Sequence, residues 1–190
     1  NVLFLTSIWG YSVLTAGLAT LPGPAWSTIV AGPAGRLADR FGHLALIVPG
    51  AVVFAAGVMV LRSAGAEPDW VGVWLPGATL TGLGIGLAFP TLGADAVRDV
   101  PDDRFATGSA VNAAFRQIGA VLGTALLITI VGDPTTLAES LASADRAYLM
   151  AAIAGLISGL VTLALGASRG PAGRGVLEPT DQATPQPAQV

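Results

Sequence analysis

The 190-residue chain is 53% hydrophobic and 11% charged, where a soluble domain carries about 25% charged residues. That balance excludes an ordinary soluble domain, and the clustering of apolar residues into blocks excludes a disordered chain. With no cysteine there is no thiol chemistry or disulfide, and a net charge of −3 without a basic stripe offers no surface to nucleic acid.

Six apolar segments follow in order, at about 1–9, 13–34, 44–61, 70–94, 107–131 and 148–167. At about 1.5 Å per residue, 18–25 helical residues cover a hydrocarbon core of about 30 Å. No segment alternates polar and apolar at period two, which argues against a membrane β-barrel. The expected fold is therefore an all-α, polytopic membrane helix bundle of about five full spans plus a truncated one. The first segment is too short to span, and it lacks the charged start and cleavage site of a signal peptide. The expectation is that the chain continues upstream of Asn1.

Gly10-Tyr11-Ser12 breaks the first segment from the second, and Pro22 and Pro24 are expected to kink the second. Residues 1–35 hold no charged side chain, and neither do residues 44–61. Between them lies Gly35-Arg36-Leu37-Ala38-Asp39-Arg40-Phe41-Gly42, read as a tight charged loop. Gly35 would let the preceding helix end close to its neighbours, and Gly42 would permit a left-handed turn. Asp39 is expected near the start of the next helix, where a carboxylate is favoured. Arg36 and Arg40 could pair with Asp39 or with anionic lipid.

Arginine placement orients the chain, since all nine basic residues are Arg. Arg36, Arg40, Arg98, Arg104, Arg169 and Arg174 fall on one side, and Arg62 and Arg146 on the other, among Glu67, Asp69, Asp133, Glu139 and Asp145. The expectation is a multi-pass protein of the cell membrane with the Gly35–Gly42 loop and the C-terminus cytoplasmic. Trp9, Tyr11, Trp70, Trp74 and Tyr148 all fall at the outer boundary, as an aromatic belt would. Residues 168–190, rich in Gly and Pro, read as a disordered cytoplasmic tail.

Arg116 is the one charge inside a predicted span, about 13 Å along its helix. An arginine at a bilayer centre costs about 2.5–3.5 kcal/mol on insertion scales, so a lipid-facing site is disfavoured. Two readings stand: it faces a wet cavity or the bundle interior, or its head snorkels to the interface. Asn112 shares its face and Gln117 points about 100° away. Asp95 is the nearest candidate partner. No Asp or Glu lies in the middle of a span, so a proton carrier would have to lie outside this chain.

Gly82, Gly84 and Gly86, followed by Pro90, suggest either close packing or a bending helix. Gly119-x-x-x-Gly123 and Gly155-x-x-x-Gly159 suggest close packing. Trp26 lies away from both boundaries, and either packs between helices or lines a cavity for a planar apolar molecule.

The octapeptide resembles the motif Gly-x-Leu-Ala-Asp-Arg-x-Gly-Arg-Lys of the major facilitator superfamily. It departs at His43 and Leu44, where that family carries a basic pair. Gly82-Leu-Gly84-Ile-Gly86-Leu-Ala-Phe-Pro90 and Gly108-Ser-Ala-Val-Asn112 with Arg116-Gln117-Ile118-Gly119 and Gly123 are similar to the fourth and fifth helices of the carboxyl-terminal half of fourteen-span drug:proton antiporters. The likeness covers roughly residues 8–166. It implies half of a major facilitator fold, with Gly35, Arg36, Asp39, Arg40 and Gly42 as a gating loop. It also implies secondary, proton-coupled efflux of small amphipathic molecules, with the proton site in the other half. A scaffold subunit, or a uniporter or symporter of another solute, are the competing readings. Neither a cofactor, a metal site nor an enzyme active site is indicated.

Overall fold

A computed structural model describes residues 1–168. These residues form helices and no strand: α1 (Val2–Ser7), α2 (Val13–Thr20), α3 (Pro22–Phe41), α4 (Leu44–Arg62), α5 (Leu75–Val97), α6 (Phe105–Val131) and α7 (Leu137–Ser168). The predicted tail lies outside the described residues. Five stretches are long and apolar enough to cross a membrane: Val13–Phe41, Leu44–Arg62, Trp70–Val97, Asp102–Val131 and Leu137–Gly166.

The local chemistry of the joints explains most element boundaries. Gly10 turns the chain at φ +68°, and Ser12 then caps α2 by accepting from the Thr15 N–H at 3.1 Å. Pro22 opens α3 where a missing N–H is tolerated, so α2 and α3 form one interrupted span. Asp69 accepts from the Gly72 N–H at 2.7 Å and starts a π-helical turn, Trp70–Trp74, that leads into α5. Thr136 and Glu139 cap α7 reciprocally: the Glu139 carboxylate accepts from the Thr136 N–H at 3.2 Å, and the Thr136 hydroxyl accepts from the Glu139 N–H at 3.2 Å.

The charged octapeptide is helical, which corrects the sequence reading. α3 runs through Gly35, Arg36, Asp39 and Arg40 and ends only at Gly42, at φ +89°. Arg, Leu and Ala are good helix formers, and nothing before Gly42 stops the helix. Asp39 therefore sits in a helix's last turn, where a negative charge is disfavoured, rather than at a helix start. Likewise, α7 begins at Leu137, three turns ahead of the apolar run at 148–167. Capping, rather than hydropathy, sets that end.

α5 is the centre of the bundle, packed against α3 on one side and α4 on the other, with α7 beyond α4. Glycines make this possible. A β-carbon at Gly82 would collide with the Gly23 carbonyl oxygen of α3, and one at Gly86 would lie 2.7 Å from the Ser27 oxygen. On the other face, a β-carbon at Gly84 would lie 2.5 Å from the Phe54 nitrogen of α4, and one at Gly57 2.5 Å from the Thr81 nitrogen. The i, i+4 pair thus meets α3, while the glycine between them meets α4.

At the end bearing the α4–α5 connection, Phe4, Trp9 and Trp74 form a buried cluster bordered by Tyr11, Trp70 and Tyr148. The Phe4 and Trp74 rings stack at 5.7 Å. Trp74 is 0% exposed, and the Trp9 indole donates to the Gly65 carbonyl at 2.9 Å. These aromatics gather at one end, as expected, but Trp9 and Trp74 are core rather than an outward-facing belt. The same end holds a two-pronged ion pair between α4 and α7: Arg62 Nε to Asp145 Oδ1 at 2.5 Å and Arg62 Nη2 to Asp145 Oδ2 at 3.1 Å.

Candidate functional site

The charged end of α3 presents Arg36, Asp39 and Arg40 outward, all exposed. Among the described residues none of the three makes an ion pair. The Arg40 guanidinium instead lies over the neighbouring Phe41 ring at 5.3 Å. The tie to the bundle comes from the residue just past Gly42. His43 Nδ1 lies 3.9 Å from Asp95 Oδ1 near the end of α5, and Arg98 Nη1 lies 3.5 Å from the same oxygen. His43, where the resembling family has a basic residue, thus retains a contact to the adjacent helix.

Arg116 lies eleven residues into α6, roughly 16 Å along the helix. Among the described residues no ion pair joins it to Asp95. Its guanidinium instead lies 5.0 Å from the centre of the Phe89 ring on α5. Asn112 is half-buried one turn earlier, and Gln117 is exposed. α6 buries no residue, and it touches only the margins of α5 and α7. Gly119 and Gly123 meet no side chain or neighbouring backbone within 4 Å among the described residues, unlike Gly155, whose β-carbon would lie 2.7 Å from the Phe54 ring. The small-residue face of α6 is therefore open here.

Two cavities adjoin α5. One, of about 290 Å³, lies between α3 and α5 and is walled by Thr20, Pro24, Ser27, Trp74, Thr81 and Ile85. Among the described residues, the buried Trp74 Nε1 has no hydrogen-bond partner. Trp26 does not line this space; it faces outward from α3 at 41% exposure. The second, of about 170 Å³, is almost wholly apolar and lies between α4, α5 and α7 around Phe54, Phe89 and Ser158. Among the described residues, no three His, Cys, Asp or Glu side chains converge on a possible metal site.

Phe89 is the site residue that sequence reasoning did not single out. It stood in the quoted run before Pro90, but only the packing of α5 against α6 brings it to Arg116. Thr136 and Glu139 were also missed, though the Thr-x-x-Glu spacing ahead of an apolar run signals a helix start.

Membrane-length helices joined through glycine-lined contacts, with a guanidinium part-way along one of them, define a multi-pass α-helical membrane protein. The chain belongs to the Major Facilitator Superfamily, whose sequence model matches residues 1–188. It is similar to the "Multidrug efflux pump LfrA" of Mycolicibacterium smegmatis, at 33% identity over 66% of this chain and 25% of that one. It is also similar to the "Puromycin resistance protein pur8" of Streptomyces alboniger, at 36% identity over 67% and 26% of the two chains. The "Lincomycin resistance protein LmrB" of Listeria monocytogenes matches at 25% identity over 68% and 27%. The chain therefore spans about a quarter of the length of the curated relatives it matches. No solved structure gives a significant match.

Proposed function

We propose that the chain forms the carboxyl-terminal half of a secondary transporter that exports drugs or other small amphipathic molecules by alternating access. The observation that carries this reading is the contrast between α5 and α6. α5 is clamped on two faces, whereas α6 buries no residue and carries Arg116. A rigid core with one open, polar-marked helix suits a half that rocks against another half, with substrate between them. The names of the relatives, two of them for resistance to a single antibiotic, support efflux as the direction and drug-like molecules as the substrates. These features point to a transporter rather than an enzyme, working in the lipid bilayer of the cell membrane with the end holding Asp39 and Arg40 cytoplasmic. Proton coupling belongs to this reading, with the proton-carrying carboxylate outside this chain.

Asp39 and Arg40 are the proposed gating pair, because both are exposed and unpaired among the described residues at the end of a span. The test is dye efflux from cells expressing the full-length protein. Asp39→Asn is expected to lower efflux by about tenfold or more at unchanged membrane abundance, the loss of a charge-assisted contact of about 1.5–3 kcal/mol in one transport state. Unchanged efflux would remove Asp39 from the gate. No efflux by the unaltered protein would remove the transporter reading itself.

A further inference from the structure

We propose that Arg116 and Phe89 form a seat for a carboxylate group. The inference rests on the transporter reading and adds to it the chemistry that this part of the half recognises.

Three observations converge on it. Arg116 stands part-way along a membrane-length helix, where a charge needs compensation. Phe89 supplies only partial compensation. Its ring lies 5.0 Å from the guanidinium carbon, and a cation–π contact uses none of the N–H donors in a hydrogen bond. Among the described residues, Arg116 makes no hydrogen bond and no ion pair, and both side chains are exposed, Phe89 at 55%. A guanidinium whose contact is with a ring keeps its planar fork of N–H donors for another partner. A carboxylate matches that fork with two parallel hydrogen bonds. Asn112, on the same face one turn away, adds an amide within the reach of a larger ligand.

The carboxylate has two possible sources, the transported molecule or an acidic side chain elsewhere in the full-length protein. Thermal unfolding of the purified full-length protein, titrated with benzoate and with its neutral isostere benzamide, separates them. If the substrate supplies the group, benzoate raises the unfolding temperature saturably and benzamide does not. Arg116→Gln and Phe89→Leu then each weaken the benzoate response by about tenfold or more. Arg116→Lys, which keeps the charge but lacks the fork, weakens it as well. If the protein supplies the group, benzoate has no effect. In that case Arg116→Gln lowers the unfolding temperature, and neutralising one Asp or Glu outside this chain restores it. Benzoate insensitivity together with an Arg116→Gln variant as stable as the parent overturns the proposal. So does a destabilised variant that no neutralised acid restores. Neither readout depends on transport, so an inactive pump and an absent seat give different results.

Discussion

A single β-carbon decides whether α3 and α5 can approach as closely as they do. At Gly82 that carbon would enter the Gly23 carbonyl oxygen, and backbone cannot swing aside as a side-chain tip can. Gly82→Ala is expected to destabilise the folded bundle by about 1–3 kcal/mol, the usual range for overpacking a tight contact. Gly93, on the same helix, has nothing within 4 Å of the equivalent position. Gly93→Ala should therefore be neutral, or stabilising by up to about 1 kcal/mol through helix propensity alone. Unfolding of the two variants in detergent separates packing from propensity. Equal losses at both positions would show that the glycines act through helix flexibility. The glycine run itself was legible in the sequence. Its assignment to two different neighbours was not, because that depends on which helices flank α5.

At the scale of elements, the ends of helices departed furthest from expectation. Hydropathy marks the part of a helix that suits lipid, whereas hydrogen bonding marks the part that is helical. α3 carries its three charges inside the helix, and α7 starts at a Thr136–Glu139 cap well before its apolar run. The early start of α7 has a consequence, since it brings Asp145 alongside Arg62 of α4. That pair is solvent-accessible, so its contribution should be modest and weakened by salt. Asp145→Asn is expected to lower the unfolding temperature slightly at low salt and to make no difference at high salt. The exchanged pair Arg62→Asp with Asp145→Arg should recover most of the loss. A salt-independent loss would mean that Asp145 acts through packing of α7. His43 illustrates the same limit. The sequence placed it beside the charged stretch of α3, and only the antiparallel return of α5 brought Asp95 within 3.9 Å.

At the scale of the whole chain, orientation can be read with single introduced cysteines, since these 190 residues hold none. Asp103→Cys, in the α5–α6 connection, should react with a membrane-impermeant maleimide only after cells are opened. Glu67→Cys, in the α4–α5 connection, should react on intact cells. Both positions are exposed, so failure to label has no steric excuse, and the reverse pattern would invert the proposed topology. The number of membrane-length helices and their order were determined by the sequence alone. A hydrocarbon layer admits only segments that satisfy their own backbone, and such segments announce themselves by length and apolar content. The family was also legible, through the spacing of Gly35, Asp39, Arg40 and Gly42 together with the glycine-rich and arginine-bearing helices that follow. Tertiary structure alone decided that Arg116 meets Phe89 instead of Asp95, that Trp9 and Trp74 are core, and that α6 is left open. Those outcomes depend on the rotation of each helix about its own axis. Nearly uniform apolarity leaves that rotation unmarked in the sequence, and it is set by which small residues let two backbones touch.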